Sequence, residues 1–319
     1  MKNVFTAVIS FLAAAALQVN AQAWPAKTIT FIVPFAAGTA TDQLARSIGQ
    51  AIALETGQSV VVDNKPGASG FIAAQAAAKA APDGYTVLVT TNTTHAANEH
   101  LYKKLPYDPV KEFAPLTGLG KGGQILVINP KNPAMNVSEL ISQAKKEPGK
   151  LTFGSGSSSS RIAGELFQQM ADLKLLHVPY KSNTLAITDL LGGQIDMMIT
   201  DTATGLPQIK AGKLRALGFS GKKRSALVPD VPTIDEAGVK GYEISYWFAA
   251  YAPANTPAAV VKRLNELLVN ATKSASATAF YSSSGTDVFT TTPEELSKFQ
   301  ADESQKWGRI IKAAGIQPE

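Results

Sequence analysis

Residues 28–46 read TITFIVPFAAGTATDQLAR and combine a strand, a turn of small residues and the start of a helix. The first six residues are apolar or β-branched and end at Pro34, which is typical of a buried strand. Leu44 and Ile48 then continue the apolar pattern at helical spacing. A strand that is apolar throughout and leads into a helix predicts an α/β fold, in which helices cover both faces of a mainly parallel sheet.

The same alternation of strands and helices recurs in two blocks along the chain. The second block opens after Gly122-Gly123 with the apolar run 124–128, and the aromatic run 242–251 crosses back to the first. Two α/β lobes with a cleft between them are the architecture of closing receptors. We therefore predict a first lobe formed by both ends of the chain and a second lobe inserted in the middle: residues 24–123 with 247–319, and residues 124–246.

The N-terminus has the pattern of a secretory signal peptide. Lys2 supplies a positive charge, residues 4–17 are almost wholly apolar, and Ala21-Gln22-Ala23 fits a small-residue cleavage site. The apolar run is shorter than the roughly 20 residues that span a bilayer. We expect residues 1–23 to be a signal peptide and the mature chain, from Trp24, to be periplasmic.

Composition excludes several classes of function. The chain has no cysteine, which rules out disulfides, thiolate metal sites and cysteine nucleophiles. Its net charge of +5 is spread along the chain, whereas nucleic-acid-binding proteins concentrate their positive charge. With 45% apolar and 17% charged residues the composition is globular. We expect a monomer without a nucleic-acid partner.

The motifs of common enzymes and cofactor sites do not fit this sequence. Residues 118–123 match G-x-G-x-x-G but precede a strand, whereas the dinucleotide motif follows one. His95, His100 and His177 do not form a zinc motif. There is no G-x-S-x-G motif and no carboxylate pair with a catalytic spacing. The sequence predicts a binding protein with no enzymatic activity, no cofactor and no metal.

The small residues at 35–40 suggest an anion site at the start of a helix. The first N–H groups of a helix have no partner within it, and the helix dipole adds partial positive charge. A loop of small residues lets an anion approach those groups without a basic side chain. Thr39 and Asp42 fit a capping box, and Arg46 is spaced to pair with Asp42. An ordinary, well-capped strand-to-helix turn is the alternative.

A second loop of this kind is Phe153-Gly-Ser-Gly-Ser-Ser-Ser-Ser160. It too lies between a predicted strand and a predicted helix, and its serine hydroxyls add hydrogen-bond donors and acceptors. A flexible Gly/Ser linker is the alternative, but the run is short and lies between regular elements. One such loop in each lobe suggests a ligand clamped between facing loops.

Many ordered segments of the chain are similar to a known family. The chain resembles the Bug family of periplasmic receptors, the solute-binding components of tripartite tricarboxylate transporters. The similarity covers nearly the whole mature chain and includes residues 24–25, 34–46, 64–70, 82–85, 107–115, 178–181, 190–196, 212–217 and 231–238.

This resemblance implies a fold, a function and partners. The fold is a two-lobed periplasmic binding protein of the Venus-flytrap, type II-like class. The function is capture of a small mono- or dicarboxylate, aliphatic or aromatic, and its delivery to integral membrane subunits of a tripartite tricarboxylate-type transporter. The alternative is a sensor protein that presents its ligand to a membrane signalling kinase.

The resemblance also implies which residues bind the ligand. In the family, backbone N–H groups and bridging waters of the two strand-to-helix loops hold the carboxylate. Further residues after the strands line the two lobes. Carried over, the ligand-binding residues are Phe35, Ala36, Ala37, Gly38, Thr39, Ala40, Thr91, Asn92, Ser155, Gly156, Ser157, Ser158, Ser159, Tyr180, Asn183 and Asp201.

The sequence departs from the family pattern at two places. Ala37-Gly38 stands where the family often has two glycines, and Arg161 stands where it usually has histidine. Arg161 either binds a second carboxylate of the ligand, since its planar guanidinium matches that group, or lies at the rim of the cleft. Asp201 either accepts a hydrogen bond from a ligand ammonium or hydroxyl, or caps local backbone.

Overall fold

The computed structural model describes residues 24–318, so the predicted signal peptide lies outside the described residues. The strands are β1 (Ile29–Val33), β2 (Val60–Asn64), β3 (Thr86–Thr91), β4 (Phe113–Ile128), β5 (Thr152–Ser155), β6 (Leu176–Pro179), β7 (Met197–Asp201), β8 (Arg215–Phe219) and β9 (Ser245–Pro253). The α-helices are α1 (Ala40–Thr56), α2 (Phe71–Ala78), α3 (Asn98–Leu101), α4 (Val137–Lys146), α5 (Ser158–Met170), α6 (Asn183–Gly192), α7 (Thr202–Lys210), α8 (Ala258–Ala271), α9 (Ala275–Ser284) and α10 (Pro293–Ala313). A short 3₁₀ turn at Ala68–Gly70 and a π-helical segment at Thr93–Ala97 precede α2 and α3.

Two sheets share the long strand β4. The first sheet has the order β2-β1-β3-β9-β4, and the second has the order β8-β4-β7-β5-β6. Residues of β4 up to Gly123 pair with β9, and those from Gln124 onward pair with β7 and β8. Each sheet has one antiparallel strand, β9 in the first and β4 in the second, while its other strands run in one direction. The predicted two-lobed α/β fold with mainly parallel sheets is confirmed.

The second sheet repeats the arrangement of the first. β1 lies between β2 and β3 with parallel pairing on both sides, and β5 lies between β6 and β7 in the same way. The loops that follow β1, β3, β5 and β7 therefore leave their sheets at equivalent positions. In α/β sheets such carboxyl ends of parallel strands are where ligands bind.

Helix α1 shows how the apolar pattern fixes the fold around the first loop. Leu44, Ile48 and Ile52 recur every four residues and are fully buried against Phe31 of β1. Burial of each such side chain contributes about 1.5–3 kcal/mol relative to exposure. This stripe fixes the position of α1 on the sheet, and so fixes where its N-terminus points.

The C-terminal helix α10 joins the two lobes. Its N-terminus carries the predicted capping box between Thr292 and Glu295, which is confirmed. Trp307 of α10 is fully buried in a continuous apolar cluster that also contains Tyr251 of the first sheet and Met197 of the second. The lobes are thus packed against each other beside the cleft.

Candidate ligand-binding cleft

An inner chamber lies between the lobes, at the ends of the strands. Its volume is about 40 Å³, several times the roughly 10–15 Å³ that a cavity needs to hold one water molecule. Both lobes contribute to its wall: the lining residues are Phe35, Thr39, Ala40, Thr41, Thr91, Gln124, Gly156, Ser157, Ser159, Asn183, Asp201, Thr204, Tyr246 and Phe248.

An outer chamber adjoins it and shares Phe35, Gly156 and Ser157 with it. This chamber is larger, with a volume of about 320 Å³. Together the two chambers can take a ligand whose head lies between the lobes and whose remainder extends outward. The other residues of the outer chamber are Pro34, Gly67, Ser69, Gly70, Tyr102, Ser155, Ser158, Arg161, His177, Pro179, Tyr180 and Lys181.

The N-terminus of α1 opens on the inner chamber without a side-chain cap. Thr39 is the N-cap residue, but its hydroxyl donates to the carbonyl of Ala36 (2.8 Å) and does not cap the helix. Asp42 Oδ2 accepts from the backbone N–H of Gly38 (2.8 Å). The predicted capping box is therefore wrong, because Asp42 bonds one residue earlier. The N–H groups of Ala40 and Thr41, in the first turn, are left for an external acceptor.

Asp42 holds this loop in shape through several contacts. Burial by itself would raise the pKa of Asp42, but hydrogen bonds from Arg46, Gly38 and Asn64 outweigh it and bring the pKa below its ordinary value. The predicted pair with Arg46 is present, at 2.9 Å. Asn64 Nδ2 also donates to the carbonyl of Phe35 (3.0 Å). The hydrogen bonds of the Asp42 carboxylate are thus made to protein groups that support the loop.

The N-terminus of α5 faces the same chamber from the second lobe. Ser157 caps it, accepting from the N–H of Ser160 at 3.3 Å. The N–H of Gly156 donates to Asn183 Oδ1 at 2.9 Å. A Cβ at Gly156 would lie 1.8 Å from the carbonyl carbon of Ser182, so only glycine allows this close approach. The N–H groups of Ser158 and Ser159 begin the helix beside the chamber.

Asp201 is engaged with the protein. Its Oδ1 accepts from the N–H and hydroxyl of Thr204 at 2.8 and 2.7 Å, which caps α7. Its Oδ2 accepts from Asn183 Nδ2 at 3.0 Å. Of the two roles considered for Asp201, local capping is the one that these contacts show. Asn183 in turn is fixed between Asp201 and Gly156.

The electrostatics of the two chambers differ. Among the described residues, no lysine, arginine or histidine lines the inner chamber, so the groups there that could attract an anion are helix N-termini and backbone N–H groups. The outer chamber contains Arg161, Lys181 and His177. Partial burial, together with a hydrogen bond to Asp189, raises the pKa of Tyr180 to about 12 and keeps its phenol neutral.

Most of the residues that the sequence pointed to meet at these chambers. Phe35, Gly156 and Ser157 line both chambers. Thr39, Ala40, Thr91, Ser159, Asn183 and Asp201 line the inner chamber, while Ser155, Ser158, Arg161 and Tyr180 line the outer one. Four residues line neither chamber: Ala36, Ala37, Gly38 and Asn92.

Those four residues have structural positions behind or beside the site. Ala37 is exposed, and Gly38, also exposed, adopts a φ of +82°, a left-handed conformation that favours glycine. Asn92 is fully buried, and its Oδ1 accepts from the N–H of Trp247 at 3.3 Å, which ties β3 to β9. These residues shape the loops next to the helix N-termini whose N–H groups face the inner chamber.

Sequence reasoning missed five residues of the inner chamber: Thr41, Gln124, Thr204, Tyr246 and Phe248. Tyr246 and Phe248 are two residues apart on β9 and so share one face of the sheet. The alternation of side chains along a strand could therefore have grouped these two residues from the sequence. Gln124 is a polar residue at the start of an apolar run, and only its partners across the sheet reveal its position.

A cleft between two α/β lobes, with helix N-termini turned towards it from both sides, defines a solute-binding receptor. The chain matches the tripartite tricarboxylate transporter family receptor over residues 44–316 and belongs to that family, TctC. The family and its solved relatives are binding receptors and not enzymes. Within residues 24–318, no helix is both long and apolar enough to cross a membrane.

Solved relatives share the fold along nearly their whole length. The structure of R. palustris Rpa4515 with adipate is 34% identical, with a TM-score of 0.90 over 93% of this chain and 100% of that one. The periplasmic binding protein BugD is 31% identical, with a TM-score of 0.89 over 93% and 100% of the two chains. MatC from Rhodopseudomonas palustris with bound malate is 30% identical, with a TM-score of 0.85 over 90% and 100%.

Proposed function

We propose that the protein is a periplasmic receptor that captures a small organic carboxylate in its interlobe cleft and delivers it to a tripartite tricarboxylate-type membrane transporter. The observation that carries this proposal is the pair of helix N-termini, of α1 and α5, on either side of a chamber that no basic side chain of residues 24–318 lines. Relatives of the same family have been solved with adipate and malate, both carboxylates.

The proposed anchor for the carboxylate consists of main-chain groups. Ala40 and Thr41 supply N–H groups from the first lobe, and Ser158 and Ser159 supply them from the second. Each helix adds partial positive charge at its N-terminus. This charge stabilises a carboxylate by about 0.3–1 kcal/mol at an exposed site, and by more where the site is partly buried. Because the donors belong to both lobes, a bound carboxylate favours the closed arrangement.

Arg161 is proposed to bind the far end of a dicarboxylate. It lies in the outer chamber with Lys181, while three of the four proposed anchor residues, Ala40, Thr41 and Ser159, line the inner one. A ligand with carboxylates at both ends would place one in each chamber. A guanidinium can form two parallel hydrogen bonds with a carboxylate, which favours arginine for this position.

The lobes are proposed to move about two crossing points. One is β4 at 123–124, where pairing passes from the first sheet to the second. The other precedes β9, whose first pair joins Ser245 to Gly123. This supports a division close to the one expected from sequence, with residues 24–123 and 247–319 in one lobe and 124–246 in the other.

Secretion and assembly follow from the same proposal. We propose that residues 1–23 direct the chain to the periplasm and that it works there as a monomer which contacts the integral membrane subunits of its transporter. N-terminal sequencing of the exported protein tests the cleavage site before Trp24. Light scattering with and without ligand tests the oligomeric state.

The first test is a thermal-shift screen of residues 24–319 against a library of carboxylates, sugars and cations. A ligand that binds only the folded state adds RT ln(1 + [L]/Kd), about 2.7 kcal/mol at a hundredfold excess over Kd. We expect a rise in melting temperature with one class of carboxylate. A rise with sugars or cations and none with any carboxylate would overturn the proposal.

A further inference from the structure

An open groove lies beside the two strands that cross between the lobes. Gly122 and Gly123 of β4 and Ser245 of β9, all at the proposed crossing points, are part of its wall. Residues within 219–227 line it from the second lobe, and residues within 281–288 line it from the first. Its volume is about 830 Å³. No described residue that lines this hinge groove also lines either ligand chamber.

Apolar side chains form part of the hinge groove. The ring of Phe219 lies against the backbone of Gly123, where a Cβ would be 2.3 Å from it. Leu227 of the second lobe meets Gly285 of the first, where a Cβ would be 2.9 Å from the leucine Cδ1. Val288 is 51% exposed. An apolar centre bordered by polar residues is the usual anatomy of a protein–protein interface.

The charged residues of the hinge groove are mostly basic. Four basic and two acidic residues line it, a net charge of +2: Lys121, Lys222, Lys223, Arg224, Glu243 and Asp287. Lys222 pairs with Glu243 at 3.5 Å, and Arg224 pairs at 2.8 Å with Glu236 outside the groove. Both pairs are solvent-exposed and therefore weak. Within residues 24–318, Lys121 and Lys223 form no ion pair.

The arrangement of these charges favours an extended anionic partner over a compact one. Lys121 belongs to the first lobe, whereas residues 222–224 belong to a loop of the second. A compact anion such as phosphate is held by donors that converge on one point. Here the positive charges lie on both sides of the crossing strands, with apolar side chains in the same groove. A peptide with spaced carboxylates and apolar residues matches both features.

We propose that the hinge groove binds an extended, acidic segment of a partner protein. Carboxylates of the segment pair with Lys121 and Lys223, and its apolar side chains cover Phe219, Leu227 and Val288. This inference goes beyond capture of a carboxylate and holds whichever carboxylate is bound. Only the coupling between the two sites rests on the proposed movement of the lobes.

Tyr246 connects the hinge groove to the inner chamber. It lines the chamber, and its hydroxyl is 2.9 Å from that of Thr286, which lines the groove. The same hydroxyl is 3.2 Å from that of Thr202, the first residue of α7 in the second lobe. Because both lobes border the groove, its shape differs between the open and closed arrangements. A segment that prefers one arrangement shifts the receptor towards it, and a bound solute changes the affinity for the segment by the same factor.

The test uses a fluorescein-labelled octaglutamate peptide and, as its uncharged control, octaserine. Fluorescence anisotropy measures the Kd of each for the mature chain, residues 24–319. We expect octaglutamate to bind at least about tenfold more tightly than octaserine at about 20 mM salt, and most of this difference to be lost at about 500 mM salt. Lys121→Gln/Lys223→Gln is expected to raise the Kd for octaglutamate about fivefold or more.

Lys145→Gln/Lys146→Gln is the matched control. It removes the same charge from exposed positions in the last turn of α4, outside the hinge groove. Its Kd for octaglutamate should stay within about twofold of the wild-type value. Thermal melts confirm that both double variants fold. The Kd for octaglutamate is also measured with adipate or malate present, and a carboxylate that binds should change it about threefold or more.

Several outcomes would overturn the inference. Absence of octaglutamate binding, or an equal loss in both double variants, would show that the hinge groove does not recognise an acidic segment. Self-association that Lys121→Gln/Lys223→Gln abolishes in light scattering would assign the groove to a second copy of the chain. An unchanged peptide Kd in the presence of a bound carboxylate would overturn the coupling and keep the docking site. Each of these results leaves the proposed function standing, whereas failure of every carboxylate to bind would overturn that function and not the docking site.

Discussion

The hydroxyl of Ser158 donates a hydrogen bond of 2.9 Å to Oδ1 of Asn98. Ser158 is the first residue of α5 in the second lobe, and Asn98 begins α3 in the first. Asn98 is fully buried and also donates to the carbonyl of Ser69 and the phenol of Tyr107. This contact, which we call the Ser158–Asn98 latch, connects the lobes beside the ligand chambers.

Removing the latch is expected to weaken ligand binding. Ser158→Ala keeps the backbone N–H that is proposed to hold the carboxylate, but it removes the hydroxyl that stabilises the closed arrangement. A hydrogen bond of this kind contributes about 0.5–1.5 kcal/mol, so Kd should rise about two- to tenfold. Calorimetric titration measures the change. Ser142→Ala, which removes an exposed hydroxyl from α4, is the control and should bind like wild type. Equal Kd values for the wild type, Ser158→Ala and Ser142→Ala would contradict this role for the latch.

Two glycine-to-alanine changes in the second lobe should have opposite effects on stability. Gly156→Ala would place a Cβ 1.8 Å from the carbonyl carbon of Ser182, whereas at Gly192 the nearest atom is 3.9 Å away. We expect Gly156→Ala to lower the free energy of unfolding by about 2 kcal/mol or more and to abolish binding. Gly192→Ala, in helix α6, should raise stability by about 0.5–1 kcal/mol. Urea denaturation compares the two, and a stable Gly156→Ala protein that binds ligand would show that the contact with Ser182 is dispensable.

His95 should make the protein less stable in acid. It is fully buried, stacked on Tyr251 with ring centroids 3.9 Å apart, and burial lowers the pKa of His95 to about 3. Between pH 6.5 and 3 the unfolded state therefore binds a proton that the folded state does not. Stability is retained above pH 6.5 and falls below it by about 1.4 kcal/mol for each pH unit.

The variant that tests this pH dependence is His95→Phe, which keeps a ring beside Tyr251 and Phe113 and cannot titrate. The free energy of unfolding of both proteins is measured in urea from pH 8 to 4.5. The difference between them should be constant from pH 8 to 7 and should move in favour of the variant at lower pH. Parallel curves over the whole range would refute the prediction.

Arg161→Gln should affect dicarboxylates selectively. If a second carboxylate binds in the outer chamber, loss of the guanidinium should raise Kd for dicarboxylates by about tenfold or more and leave monocarboxylates within about twofold. Arg309→Gln, at an exposed position on α10, is the charge-matched control. Fluorescence or calorimetric titration with succinate and butyrate compares the three proteins. Unchanged affinity for every dicarboxylate would place Arg161 at the rim of the cleft without a role in binding.

Local sequence signals predicted the elements of the fold well. Thr292 and Glu295 form the capping box that their spacing indicated, because both partners belong to the same helix turn. Thr39 and Asp42 have the same spacing but do not form one. There the N–H of Gly38 competes for Asp42, and the turn that makes this possible depends on the left-handed conformation of Gly38. A spacing rule cannot resolve such a competition.

The candidate site was predictable where it follows from strand-to-helix loops and not where it depends on pairing across the sheets. The loops at 35–40 and 155–159 could be found from small residues between a strand and a helix. Gln124 faces the chamber only because β4 passes between the lobes at that residue. The orientation of its amide depends on Ser159, which is 35 residues away in the chain.

The proposed anchor of main-chain N–H groups would have a consequence for how such receptors diversify. Every residue type except proline carries that donor, so the anchor is inherited with the backbone and survives replacement of most side chains around it. Mutations at Gln124, Arg161 or Tyr180 can then be sampled one at a time while the head of the ligand stays bound. A duplicated gene could reach a new nutrient through a series of working intermediates, without passing through a receptor that binds nothing.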